Sequence, residues 1–393
     1  MRRGGFRSPL RIVGTLAVTA GLVCSTATVS AAAAPAWDHL SFPYGYNQPL
    51  KQLNDVAAVS GTEAWAVGQS RFDKPPVTGT CGNVFRWDGR KWTQQGLIDT
   101  CKGPLHAVSA ASSTSVWTVA STAAYRWDGQ KWTSKPYPTE SGNEFYLNDI
   151  AAVGNTAFAV GRSWRPQGEV TTAGVIRWDG NAWQKMSVPL PAGNTELTSV
   201  YATSANDVWA VGTTKQRGFG SDDQALVLHW NGSAWTAVPN PPKVNLVATR
   251  LNTVVARGGE AWVGGEKVTY ESNGISVKTR EALLARWDGR AWTATATPLP
   301  VDQDEKSVVL TLNGTEVWAG ANVYDRAQGY KWIGSLLRWD GSAWQQTSKP
   351  ALVEFGYRQL GSIPGGGLWA AGNGTRENDE LAHGEYLARL SGS

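Results

Sequence analysis

The residues best suited to acid–base chemistry in this sequence are two aspartates and a histidine. Asp55 and Asp149 each end a Leu-Asn-Asp triplet, and His106 lies between them in the chain. Two carboxylates and an imidazole can serve as general acid and general base in hydrolysis or elimination. The same residues also suit a structural role as solvated polar groups, and this is the interpretation that we favour.

Metal and cofactor chemistry has less support. The four histidines fall in different kinds of predicted strand and loop and form no cluster: His39, His106, His229 and His383. Three acidic runs, at 221–223, 302–305 and 377–380, offer oxygen ligands for Ca²⁺, but none has the spacing of a calcium-binding loop. We therefore expect no metal and no cofactor.

A second group of residues suits binding. It consists of the two tryptophans outside the sequence repeat and their polar and aromatic neighbours: Trp164, Arg165, Tyr324, Arg326, Tyr330 and Trp332. Aromatic rings with a polar handle are favoured at recognition surfaces, where they stack on sugar rings or on peptide side chains. The alternative is that these rings pack locally on the loops that carry them.

Two motifs alternate along the chain and show which elements position these residues. The first is a tryptophan-flanked turn, at 86–92, 126–132, 177–183, 229–235, 286–292 and 338–344. The second is a short apolar segment such as "DVWAVG", at 63–68, 115–120, 156–161, 207–212, 260–265, 316–321 and 367–372. Successive turns lie 40, 51, 52, 57 and 52 residues apart. A period near 50 residues with several strands per unit is typical of a β-propeller blade.

Each unit divides into four strand-like segments, which we call a to d from the channel outward. Asp-Gly between strands c and d is a strong signal for a two-residue type I′ hairpin. That turn would place Trp87 opposite Arg90 and Phe85 opposite Trp92. Most tryptophans then fill the space between neighbouring blades.

The two ends of the chain complement each other. Residues 389–392 occupy the position of the turn motif, but most of the outer strand that should follow is missing. The segment "AWDHLSFP" at 36–43 matches outer strands elsewhere in the repeat. We therefore expect the N-terminal segment to complete the last blade, which closes the ring and leaves no blade with an open inner edge.

These motifs resemble the repeats of exported bacterial, actinobacterial-type, seven-bladed propellers of the broad kelch and galactose-oxidase-like group. The expected fold is all-β, with seven blades of four antiparallel strands in one domain, 36–393. The blades are expected at 53–97, 105–138, 147–189, 197–240, 251–298, 307–350, and 357–393 with 36–43.

The N-terminal residues predict export. A basic start, an apolar run at 12–23 and a small-residue stretch ending near residue 34 form a signal peptide, 1–34, with an approximate cleavage site. Cys81 and Cys101 remain after cleavage and suit one disulfide, with two free thiols as the alternative. The formal charge of +4 includes the four arginines of the signal, so nucleic acid is not an expected partner.

Loop lengths predict where function lies. The b–c links are long, at 70–82, 162–170, 214–224, 267–281, 323–334 and 375–385, and they share one face with the d–a links. We call this side the loop face. The favoured hypothesis is a secreted, monomeric, non-enzymatic recognition protein that binds a glycan or a protein partner there, with no membrane span. The alternatives are a hydrolase or lyase at the channel mouth and a structural scaffold of the cell envelope.

Overall fold

The computed structural model describes the chain in segments separated by gaps. The described residues are 1, 36–40, 51–74, 77–97, 103–139, 144–164, 171–215, 222–240, 245–326, 331–350, 354–376 and 379–391. The chain divides into the units Met1–Ala34 and Pro35–Ser393, and the 28 strands found among the described residues lie in the second unit.

Seven antiparallel sheets of four strands form the blades, numbered here from one to seven along the chain. Blade one contains β2 (Lys51–Ser60), β3 (Glu63–Lys74), β4 (Val77–Trp87) and β5 (Trp92–Leu97). Blade two contains β6 (Leu105–Ser112), β7 (Ser115–Ala120), β8 (Ala123–Trp127) and β9 (Trp132–Ser134). Blade three contains β10 (Glu144–Val153), β11 (Thr156–Trp164), β12 (Thr172–Trp178) and β13 (Trp183–Met186).

The next three blades repeat this order of strands. Blade four contains β14 (Asn194–Ser204), β15 (Asp207–Lys215), β16 (Gln224–Trp230) and β17 (Trp235–Ala237). Blade five contains β18 (Val247–Arg257), β19 (Glu260–Tyr270), β20 (Val277–Trp287) and β21 (Trp292–Ala294). Blade six contains β22 (Lys306–Asn313), β23 (Glu316–Asp325), β24 (Lys331–Trp339) and β25 (Trp344–Thr347).

Blade seven joins the two ends of the propeller. It contains β26 (Glu354–Ser362), β27 (Gly367–Arg376), β28 (Asp379–Ser391) and, as its outer strand, β1 (Trp37–Leu40). Trp37 lies opposite Leu390 in the β1–β28 ladder, and its indole N–H donates to the Ser348 carbonyl of blade six at 2.9 Å. The seven-bladed fold is confirmed, and the N-terminal strand completes the last blade.

The predicted c–d turn is wrong in its register. Trp87 lies directly opposite Trp92, and four residues rather than two connect the strands. The Asp88 carboxylate accepts the backbone N–H groups of Arg90 and Lys91, each at 2.9 Å, and these donors lower its pKa. Of the four turn residues, 88–91, only Gly89 has a positive φ, 94°. A type I′ turn needs two such residues, so this turn is not type I′. The aspartate side chain therefore selects a longer turn that pairs the two tryptophans.

These tryptophan pairs pack against an aromatic side chain of the neighbouring blade. Trp65, on strand b of blade one, contacts Trp127 and Trp132 of blade two, with ring centroids 5.2 and 5.4 Å apart. On its own blade, the Arg86 guanidinium lies 5.2 Å from the centre of the Trp65 ring. Trp369 of blade seven contacts Trp87 and Trp92 of blade one in the same way, which closes the ring.

Blades three and four vary this contact. Phe158 takes the strand-b position in blade three, and its ring centroid is 6.5 Å from that of Trp235. In blade four His229 replaces the arginine, stacks on Trp209 at 4.4 Å and contacts Asp207 at 2.7 Å. The described histidines thus include one that serves the packing of the repeat.

Several predicted b–c loops are extensions of the b and c strands. In blade one the ladder continues to the pair Lys74 and Val77, and in blade five it continues to Tyr270 and Val277. A small apolar cluster around Ala248, Val268 and Tyr270 supports the second extension. Blade two has only residues 121–122 between strands b and c, so the loop face is lowest there.

Strand a carries an extra residue at its start in six blades. In blade one Leu53 pairs with Gly68 and Asp55 pairs with Val67, which leaves Asn54 bulged. The other bulged residues are His106, Asn148, Thr198, Asn252 and Arg358. The β22–β23 ladder of blade six runs without a register shift. Bulges redirect side chains and are common next to functional sites.

The bulge explains the glycine that ends the "AVG" segments. A Cβ at Gly68, Gly161, Gly212 or Gly265 would lie 1.8–1.9 Å from a strand-a carbonyl oxygen. Ala321 takes this position in blade six, where the bulge is absent. Ala120 takes it in blade two, where strand a begins only at its partner Leu105. The glycine is therefore required by close backbone approach.

Gly212→Ala is expected to lower the free energy of unfolding by about 3 kcal/mol, because the new methyl group overlaps the Glu196 carbonyl, 1.9 Å away. Gly384→Ala is the matched control, since no atom lies within 4 Å of its Cβ position. Chemical denaturation of both variants measures the difference. Equal stabilities would contradict the close-approach explanation.

Candidate functional site: the mouth of the central channel

A cavity of about 450 Å³ lies where the bulged residues meet. Strand a begins and strand b ends on this side of the ring, so the cavity belongs to the loop face. Blades one, two, three, six and seven line it, through Asn54, His106, Asn148, Ser307, Asn322, Trp332, Gly356, Tyr357, Arg358 and Asn373. Binding sites for small ligands are typically concavities of this size with a few convergent polar groups.

Trp332 forms the aromatic wall of the cavity. It lies on β24 opposite Tyr324 of β23, and the two ring centroids are 4.9 Å apart. The wall depends on a glycine, because a Cβ at Gly356 would lie 2.8 Å from the Cβ of Trp332 and 3.1 Å from Asn373 Oδ1. Trp332 and Asn373 are thus close together.

Blade six also accommodates the ring of Tyr357 from blade seven. This tyrosine takes the position of the leucine that precedes the bulge in blades one to five. Its ring lies over Gly320 and Gly334, where a Cβ would be 2.7 and 2.8 Å from ring carbons. Its backbone N–H and carbonyl are held by the side-chain amide of Asn322, at 2.8 and 2.7 Å. Tyr357 therefore fixes blade seven against blade six beneath the cavity.

The cationic group in the cavity wall is paired. Arg358 Nη2 lies 3.1 Å from Glu385 Oε1, and Glu385 Oε2 accepts the backbone N–H of Leu53 at 3.0 Å. Burial raises the pKa of Glu385 to about 7, although Arg358 and the Leu53 N–H lower it. This carboxylate connects blade seven to blade one and balances the charge of Arg358.

The predicted acid–base aspartates hold the blades together. Asp55 accepts the backbone N–H groups of Val56 and of Val108 in blade two, both at 2.7 Å. Asp149 accepts those of Ile150, at 2.7 Å, and of Val200 in blade four, at 2.8 Å. Both oxygens of each carboxylate are therefore engaged by the backbone. This arrangement favours the structural interpretation of the Leu-Asn-Asp triplets.

Burial dominates the electrostatics of these groups. It raises the pKa of Asp149 to about 6 and that of Asp55 well above its ordinary value, and the Asp149 charge raises the pKa of Asp55 further. Burial also lowers the pKa of His106, whose Nε2 lies 2.9 Å from Ser121 Oγ. The histidine is therefore mostly neutral near pH 7.

Among the predicted binding residues, Trp332 lines the cavity and Tyr324 supports it from behind. Arg326 is half-exposed on the blade-six rim, 3.8 Å from Asp304 Oδ1 and from Glu305 Oε1, and does not line the cavity. Trp164 ends β11 opposite Glu144. Its side chain, Arg165 and Tyr330 lie outside the described residues.

Most of the polar lining was not among the residues predicted from the sequence. The third residue of each Leu-Asn-Asp triplet was the predicted acid–base group, whereas the second residue, Asn54 or Asn148, faces the cavity. Phe355, the neighbour of Gly356 in the cavity wall, is fully buried between blades six and seven. A third repeated motif, leucine before two mostly polar residues, was the available signal for the bulge.

The described part of the chain contains no group of three histidine, cysteine or acidic side chains that could hold a metal ion. It also contains no helix of the length and apolarity needed to cross a bilayer.

Three solved structures share this architecture. YCF48 bound to a D1 peptide aligns with a TM-score of 0.55 at 15% identity, over 91% of this chain and 97% of that one. YCF48 from Cyanidioschyzon merolae gives 0.52 at 13%, over 90% and 98%. The WD40 β-propeller domain of Doa1 gives 0.50 at 13%, over 91% and 97%. At these identities the likeness shows the propeller fold. No protein-family model and no curated protein matches the chain.

In the wild type we expect the free energy of unfolding to fall as the pH rises from about 4 to about 6. Asp149→Asn is expected to remove this fall. A raised pKa means that the folded protein binds more protons than the unfolded chain, so stability is lost as the pH rises through the folded pKa of about 6. The wild type should lose up to about 3 kcal/mol relative to the variant over this range. Urea denaturation across a pH series measures it.

Asp88→Asn is the matched control. Its pKa is lowered, so its contribution is lost only as the pH falls below the ordinary aspartate value of 3.8, and Asn231 fills the same turn position in blade four. Parallel stability profiles for wild type and Asp149→Asn would show that the carboxylate is not buried as described.

Proposed function

We propose that the protein is an exported, non-enzymatic recognition propeller that binds a glycan or a partner protein at the mouth of its channel. The observation that carries the proposal is the cavity of about 450 Å³ walled by Trp332 and by polar side chains from five blades. A rigid ring that presents a concave, partly aromatic site is suited to recognition.

The alternatives receive less support. A hydrolase or lyase at the channel mouth would need the aspartates available for proton transfer, whereas backbone N–H groups engage every oxygen of Asp55 and Asp149. A purely structural scaffold would need no open cavity. A protein ligand draws support from the fold of YCF48, whose structure is described as bound to a D1 peptide.

Export and the disulfide are part of the same proposal, as is a place among exported bacterial propellers of the kelch and galactose-oxidase-like group. Cys81 is fully buried. Its backbone forms an isolated parallel β-bridge with Gly103, which lies two residues after Cys101. The Gly103 N–H donates to the Thr80 carbonyl at 3.1 Å, which brings the two segments together. Cys101 itself lies outside the described residues.

We expect the native host to release a chain that begins near Ala36 and contains a Cys81–Cys101 disulfide. N-terminal sequencing and the intact mass before and after reduction measure both features. Retention of the first 35 residues would contradict export by cleavage. A mass unchanged by reduction would contradict the disulfide.

Binding at the cavity is tested with the mature chain on glycan and peptide arrays. Trp332→Ala should reduce the affinity for any specific ligand at least tenfold, because stacking on the ring is lost. The control is Ile275→Ala, which removes an exposed side chain from the β19–β20 turn of the same face. A ligand bound equally by all three proteins would place the site elsewhere, and the absence of any ligand would favour the scaffold.

A further inference from the structure

The hydrogen-bonding groups left open in the cavity indicate the chemical class of its ligand. Two acceptors come from the bulged asparagines. Asn54 Nδ2 donates to the Leu105 carbonyl at 2.7 Å, and Asn148 Nδ2 donates to the Leu197 carbonyl at 2.8 Å and to Glu196 Oε1 at 3.1 Å. Their Oδ1 atoms have no hydrogen-bond partner among the described residues. The ligand must therefore supply donors on this side.

Blades six and seven contribute groups that both donate and accept. Ser307 and Asn373 have no side-chain hydrogen bond within the described segments, and both line the cavity. Asn373 lies beside Trp332, because the two meet at the Cβ position of Gly356. A ligand that stacks on Trp332 therefore meets a polar group at the edge of the ring.

Charge complementarity argues against an ionic ligand of either sign. Arg358 already has a partner in Glu385 at 3.1 Å, and the open asparagine oxygens would repel an anion. A cation would need a free carboxylate, but the oxygens of Asp55, Asp149 and Glu385 are all engaged. His106 is uncharged near neutral pH because burial lowers its pKa.

We infer that the cavity binds an uncharged saccharide, one or two sugar units long, with a sugar ring stacked on Trp332 and its hydroxyl groups on Asn54, Asn148, Ser307 and Asn373. Hydroxyl groups both donate and accept, as this mixed lining requires, and a pyranose ring presents C–H groups to the aromatic face. The cavity volume of about 450 Å³ suits a ligand of this size. This inference rests on the proposed function and narrows its ligand.

The experiment titrates the mature protein with short saccharides while tryptophan fluorescence and heat are recorded. The neutral probes are cellotriose, mannotriose, xylotriose and N-acetylchitotriose, and the anionic probe is trigalacturonate. We expect saturable binding of at least one neutral probe. We expect Trp332→Ala to weaken it at least tenfold, Asn373→Ala about threefold to tenfold, and Ile275→Ala not at all. Thermal unfolding of each variant confirms that the propeller is intact.

The failures of the inference and of the proposed function are distinguishable. Trigalacturonate bound more tightly than every neutral probe would overturn the neutral-sugar inference and leave the binding site in place. Peptides bound in a Trp332-dependent manner, with no saccharide bound, would also overturn the inference while supporting the proposed function. If neither the saccharides nor a peptide array showed any effect of Trp332→Ala, both would be wrong.

Discussion

The structure depends on one contact, repeated around most of the ring, between an aromatic side chain on strand b and a pair of tryptophans on the next blade. In blade seven Leu390 and Trp37 take the place of the tryptophan pair and pack in one cluster with Trp318 of blade six. Trp117, for example, lies 5.1 Å from both Trp178 and Trp183, and the Arg126 guanidinium lies 5.7 Å from its ring on the other side. Each such cluster adds aromatic and cation–π attraction to the burial of large rings, on the order of 1 kcal/mol per contact. Because every contact joins consecutive blades, and Trp369 meets blade one, the same local motif produces a closed ring.

The inner ends of the blades are joined by different chemistry. Strand a is the innermost strand, so its N–H groups that point away from strand b lack a ladder partner and need acceptors. Asp55, Asp149 and Thr253 supply them to Val108, Val200 and Leu310 of the following blades. A carboxylate in this position accepts two donors at once but loses its hydration, which explains why its pKa rises despite good hydrogen bonds. Polar residues around the channel are thus first of all part of the framework, and a catalytic interpretation of them from sequence alone is weak.

The repeat made the fold predictable from sequence, including the completion of blade seven, because most blades carry the same tryptophans and the same aspartate turn at a period near 50 residues. The register of that turn was not predictable from the Asp-Gly pair, since the deciding interaction is the Asp88 side chain with two backbone N–H groups. The site was predictable only where it departs from the repeat, as at Trp332. Asn54 and Asn148 were missed because a bulge arises from the pairing of two strands. It cannot be recognised from the polar–apolar alternation of one strand taken alone.

The position of the cavity follows from where the blades differ. Blades four and five keep the bulge, but Thr198 and Asn252 do not line the cavity. Blade six lacks the bulge and carries Gly320, which admits the Tyr357 ring from blade seven. Blade two contributes almost no b–c link, so the rim is low beside His106. A regular sevenfold ring would present a symmetric pore, whereas these departures give one cavity both an aromatic wall and two open asparagine acceptors. An off-centre site of this kind can distinguish the two ends of an asymmetric ligand. The regular contacts that close the ring cannot do so, because they are largely the same from blade to blade.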